Sequence, residues 1–144
     1  AYMLASDQLA ALLSPDEQLD STVGNVIGGE VFALQQVPLL IDDLSGITIV
    51  SSASLPDENF RQRYLSSGQF VPEPGLLATL TYDAAGIALD ALQTADANTT
   101  IATMRYEGLN GSIQFIDGYW ADAPINFFDY DTAGKLTPED RPVK

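Results

Sequence analysis

At 144 residues, 46% of them hydrophobic and 18% charged, the chain has the length and balance of one globular domain, neither disordered nor fibrous. Its net charge of −14, with no Lys or Arg before Arg61, repels phosphate backbones and anionic lipid, which argues against nucleic acid as a partner. The absence of Cys and His removes disulfides, thiolate metal sites, the Ser-His-Asp triad and the commonest general base.

In chain order, the apolar run Ala1–Ser6 reads as a buried strand. Asp7 then caps a helix with Leu9, Leu12 and Leu13 on one face, which Ser14-Pro15-Asp16 breaks. Val23–Gly28 is a second short strand, and Val31–Val37 is either helical or a loop with one helical turn. Gly46–Ser51, β-branched and bounded by polar residues, predicts a strand. Asp57–Leu65 predicts a helix: Phe60 and Tyr64 stand at i,i+4, and its acidic residues precede its arginines as the helix dipole favours. Pro72 and Pro74 make Val71–Gly75 a loop. Leu76–Thr94 is the longest helical pattern, with Leu77, Leu80, Ala84, Ile87, Ala88 and Ala91 as its apolar face. Gly86 inside it costs up to ~1 kcal/mol relative to Ala, which predicts a closely packed neighbour. Asn98–Tyr106 reads as a short capped helix, and Ser112–Phe115 and Ile125–Tyr130 as two strands with Asp117-Gly118 as the turn between them. Lys135–Lys144 is polar and extended. Strands alternating with helices before a hairpin-like end predict an α/β fold: a mostly parallel sheet flanked by helices, with a C-terminal antiparallel strand pair. No segment approaches the ~20 apolar residues of a membrane span. The start at Ala1, without Met or leader, predicts a processed form or a fragment.

Few residues carry chemistry. Glu30 follows Val-Ile-Gly-Gly at the carboxyl end of a predicted strand, where ligands of open α/β sheets bind. A carboxylate there pairs with an ammonium group, and the glycines let a ligand approach the backbone; the alternative is a solvated loop Glu. Ser6 and Asp7 end the first strand and are ligand candidates by the same rule, or simply a helix N-cap. Tyr119-Trp120 either stacks on a ligand ring or closes a hairpin. Asp117, Asp122, Asp129 and Asp131 are dense, but not at the spacing of a calcium loop, so no metal is expected. Gly28-Gly29 is too short for a phosphate cradle, no dinucleotide fingerprint exists, and no carboxylate pair sits in an apolar pocket suited to glycoside hydrolysis. No cofactor and no catalytic residue is expected.

Four segments in fixed order point further: Phe60-Arg-Gln-Arg-Tyr64; Thr81-Tyr-Asp-Ala-Ala-Gly-Ile-Ala-Leu-Asp-Ala-Leu92; Tyr106-Glu-Gly-Leu-Asn-Gly-Ser-Ile-Gln-Phe115 with the Asp117-Gly118 turn and Trp120; and Ile125-Asn-Phe-Phe-Asp-Tyr-Asp-Thr-Ala-Gly-Lys-Leu136. Their order and spacing resemble the C-terminal half of the type I periplasmic binding proteins of the leucine/isoleucine/valine kind, best over residues 46–136. Upstream, Tyr2–Ser6, a helix and Val26-Ile27-Gly28-Gly29-Glu30 are similar to the strand-helix-strand of that family's second lobe. The resemblance implies that residues 1–46 and 112–144 are second-lobe-like and 52–105 first-lobe-like. The family's complete N-terminal lobe is missing from this sequence, so the exposed edges are expected to pair with that missing N-terminal lobe or with a swapped copy of the chain. It implies an extracytoplasmic protein, periplasmic or extracellular, that closes two lobes on a small amino-acid-like solute and delivers it to the membrane permease of an ABC transporter, with no chemistry. In that frame Glu30 meets the solute's ammonium group and Leu77 packs against its side chain, or Leu77 is ordinary helix core. The alternative is an interaction or structural domain of the same descent that binds no small ligand.

Overall fold

A computed structural model describes residues 26–40 and 44–139. The expected strand at Ala1–Ser6, the helix after Asp7 and the segment beyond Glu139 lie outside the described residues. The chain divides into two compact units, not one: the first runs up to Ser51 and resumes at Asn126, and the second is Ser52–Ile125.

The first unit is built on a mixed sheet. β1 (Val26–Gly28) pairs in parallel with β2 (Ile47–Ser51), β2 pairs antiparallel with β6 (Asn126–Tyr130), and β6 pairs antiparallel with β7 (Leu136–Glu139). Among the described residues β2 is central, and it is buried on both faces at Ile47, Thr48, Ile49 and Ser51, as its unbroken β-branched run requires. Burying a side chain such as Ile49 contributes roughly 1.5–3 kcal/mol. Phe32, Val37 and Phe128 complete this core. After β1 the chain makes a short 3-10 turn at Glu30–Ala33, the one-turn alternative expected for this stretch, and then a four-residue helix, α1 (Val37–Leu40). The C-terminal segment from Lys135, expected to be merely extended, enters the sheet as β7. Pro138 sits there opposite Phe128, an arrangement an edge strand tolerates because its outward N–H is not needed.

The second unit joins three helices to an antiparallel meander. α2 (Glu58–Leu65) starts at Asp57, whose carboxylate accepts from Phe60 N at 2.7 Å. α3 spans Leu76–Leu92 and α4 spans Ala97–Thr103. The cap of α4 is Asp96, not Asn98: its carboxylate takes the Thr99 hydroxyl and amide, which hold its titration below the ordinary value. β3 (Arg105–Gly108), β4 (Gly111–Ile116) and β5 (Tyr119–Trp120) follow in order.

Two expectations need correction here. The Asp117-Gly118 turn is present, with positive φ at both residues (52° and 83°), but it joins β4 to β5 and not to the strand at 126–130. Two left-handed residues in a two-residue loop match the right-handed twist of the flanking strands. Residues 112–125 lie in the second unit, because β4 pairs with β3, and the chain returns to the first unit at Asn126. Finally, the buried face of α3 is Leu76, Thr79, Asp83, Ile87 and Ala91, while Leu77, Ala84 and Ala88 are exposed. Ile87 and Ala91 are buried as expected, and the face turns to include Thr79 and Asp83 because both find partners inside. The Thr79 hydroxyl reaches the Ser54 and Leu76 carbonyls at 3.0 and 2.9 Å.

Candidate functional site

Because β1 and β2 run parallel, their carboxyl ends lie at the same edge of the first unit's sheet. Because β6 runs the other way, its first residue, Asn126, pairs with Ser51, the last residue of β2. Glu30 opens the 3-10 turn just beyond this edge. Its carboxylate accepts the Ser51 hydroxyl proton, Oγ to Oε1 at 2.6 Å, the short distance of a bond to an ionised acceptor. An ionised carboxylate offers about four acceptor positions on two oxygens, so one such bond fixes the group and leaves capacity for a second donor. Glu30 is half-buried and Ser51 is buried.

The turn that carries Glu30 is fixed by its neighbours. The Phe32 ring lies against the Gly28 backbone, where any Cβ would overlap it. Gly28 is thus committed to core packing, not to ligand approach; Gly29, with nothing within 4 Å of a Cβ, is the open one. On the far side, the Tyr130 hydroxyl donates to the Phe32 carbonyl at 2.5 Å, and burial pushes the phenol up to about 12.

Leu77 lies in the second unit, near the N-terminus of α3, and is 40% exposed, so it is not helix core. It borders a groove of about 450 Å³ together with Phe60, Tyr64, Pro74 and Tyr82. Phe60 meets the Tyr82 ring edge-on at 5.2 Å between centroids, so Tyr82 packs against α2. Arg61 and Glu73 form an ion pair beside the groove. Glu30 and Leu77 stand in different units; Ser6 and Asp7 lie outside the described residues.

Other conspicuous residues turn out to build the scaffold. Asp83, 1% exposed, accepts from Leu109 N at 2.8 Å on one oxygen and from Asn110 N and Nδ2 at 2.9 and 2.8 Å on the other. Asn110 Oδ1 in turn accepts from Ser54 N at 2.7 Å. The Tyr-Asp-Ala and Glu-Gly-Leu-Asn-Gly segments are thus two halves of one buried hydrogen-bond network, and Gly108 is needed because a Cβ there would strike the Asp83 carboxylate. Gly86 has the close neighbour its cost predicted, the Tyr106 hydroxyl. Trp120 closes the hairpin and donates to the Ser112 carbonyl at 3.1 Å. Asp129 accepts from the buried Thr48 hydroxyl at 2.9 Å and Asp131 from the amides of Ala133 and Lys135; among the described residues no three acidic groups form a metal cluster. Ser51 was not foreseen. Its only sequence signal was its place at the end of a strand, where a serine looks like a boundary residue.

No protein-family model matches the sequence, and no curated protein matches it. Solved structures do. A leucine-binding protein, LivK, from Thermotoga maritima superimposes with a TM-score of 0.72 at 20% identity, over 94% of this chain and 41% of that one. A putative branched-chain amino acid ABC transporter protein from Rhodospirillum rubrum gives 0.66 at 19% identity, over 94% and 42%. The branched-chain amino acid transporter substrate-binding protein LivJ from Streptococcus pneumoniae, solved with isoleucine, gives 0.64 at 16% identity, again over 94% and 42%. The chain has the fold of part of these binding proteins. It spans about two fifths of their length. The α/β architecture expected from the sequence is the one observed, and it matches as part of a larger fold. Among the described residues no helix is long and apolar enough to cross a membrane.

Proposed function

We propose that this chain is part of an extracytoplasmic solute-binding protein that captures a small amino acid for an ABC transporter and transforms nothing. The observation that carries the reading is Glu30: a carboxylate held at the carboxyl edge of a parallel strand pair, anchored through one oxygen by Ser51, in a fold matched by one protein named for leucine and another solved with isoleucine. The other free carboxylate capacity meets the solute's ammonium group, a charge-assisted contact. The division of the chain at Ser51/Ser52 and Ile125/Asn126 supports the view that the units belong to two lobes, the first unit to the second lobe and part of Ser52–Ile125 to the first, which close on the solute.

The rest of a two-lobed protein also fits what the surface shows. Leu77, Ala84, Ala85, Ala88 and Leu92 form an exposed apolar face along α3, and Leu92 is 73% exposed. Such a face is ordinarily covered, and the missing N-terminal lobe is the natural cover for a chain that spans two fifths of its neighbours' length. The membrane permease receives the solute.

Calorimetric titration of the full-length protein with L-leucine, L-isoleucine and L-valine tests the reading. Binding of at least one, weakened about 10–100-fold by Glu30→Gln, is expected for removal of one partner of a buried charge contact. Unchanged affinity in that variant would remove Glu30 from the site.

A further inference from the structure

We infer that Ser51 is a positioning residue for solute recognition: it sets the orientation of the Glu30 carboxylate that meets the ammonium group. The inference rests on the reading of Glu30 above and goes beyond it to a residue that touches no ligand. Glu30 stands in a one-turn 3-10 segment, and a glutamate side chain has three rotatable bonds, so an unanchored carboxylate sweeps through many rotamers. Ser51 is the opposite kind of group. It is 4% exposed, its backbone is fixed in register opposite Asn126, and a single rotatable bond places its hydroxyl relative to a strand that is buried on both faces. The 2.6 Å bond therefore ties a mobile carboxylate to a rigid element. It occupies Oε1 alone, so the constraint directs the remaining acceptor positions without consuming them. No other hydrogen bond or ion pair to Glu30 is seen among the described residues, so this single contact does the positioning.

The test is a double-mutant cycle by calorimetry on the full-length protein, with L-leucine as the probe. Ser51→Ala is expected to weaken leucine binding about tenfold, the scale of one hydrogen bond to a charged group. Ser51→Thr keeps the hydroxyl on a residue suited to a strand and is expected to restore most of the affinity. In a Glu30→Gln background Ser51→Ala should add little, because the charge it orients is gone. Equal weakening by Ser51→Ala in both backgrounds would show that Ser51 acts through general packing and would overturn the inference. So would an unchanged affinity in Ser51→Ala while Glu30→Gln weakens binding. If Glu30→Gln has no effect, or the wild-type protein does not bind leucine, the reading of Glu30 fails first and the inference falls with it.

Discussion

Replacing Asp83 by Asn exchanges one oxygen for an NH2 group and should nonetheless strongly destabilise the second unit. The carboxylate uses both oxygens as acceptors, one for Leu109 N and the other for Asn110 N and Nδ2. An amide has a single oxygen, so either orientation turns an NH2 group toward at least one N–H donor and leaves buried donors unpaired. Bonds to an ionised acceptor are worth about 1.5–3 kcal/mol each, and an unpaired buried donor costs about 1–3 kcal/mol. Because the three bonds share one carboxylate they are not additive, and the expected loss is about 3–5 kcal/mol for Asp83→Asn, with Asp83→Ala at least as severe. With a urea slope of about 1–3 kcal/mol per M, the midpoint moves down by roughly 1–5 M. The single tryptophan, Trp120, belongs to β5 of this unit, so its fluorescence follows the unfolding. Asp90→Asn, on the exposed side of the same helix, is the control and should stay within about 0.5 kcal/mol. A loss below about 1 kcal/mol for Asp83→Asn would refute the claim that this network holds α3 to the β3–β4 turn.

Three further outcomes follow from the first unit. Tyr130 keeps its proton in the folded state up to about pH 12, against an ordinary value of 10, so its contribution is complete below pH 10 and is lost as pH rises through 12. Circular dichroism between pH 9 and 12 should show destabilisation that is smaller in Tyr130→Phe. Gly28→Ala drives a methyl into the Phe32 ring and should cost about 1–3 kcal/mol; a neutral result would mean the ring does not pack on that backbone. Ile49→Ala empties a fully buried position in the central strand and should cost about 2–5 kcal/mol by denaturant titration.

The sequence made the elements legible where local chemistry decides them. The β-branched run before Ser52 is β2, the prolines before Leu76 end the loop at α3, and Asp117-Gly118 is the turn its residues demand. It misled where a long-range partner decides. Periodicity put Leu77, Ala84 and Ala88 on the buried face of α3 beside Ile87 and Ala91, which are buried, because nothing local reveals that Asp83 will find three donors 26 and 27 residues away. The same limit hid the strand that Asp117-Gly118 serves, since a turn fixes its neighbours but not which later strand lies beside β2. Glu30 was visible by position alone. Ser51 was not, because its meaning depends on the parallel pairing that brings two carboxyl ends to one edge.

Recognition of an ammonium group is the role proposed for Glu30. Its most direct test is a matched-pair titration of the full-length protein with L-leucine and with 4-methylpentanoate, which keeps the carboxylate and the branched chain but lacks the amine. Leucine is expected to bind and the deaminated acid to bind at least about 100-fold more weakly, as when a buried charge loses its partner. Equal affinity for the two, or preference for the acid, would contradict it.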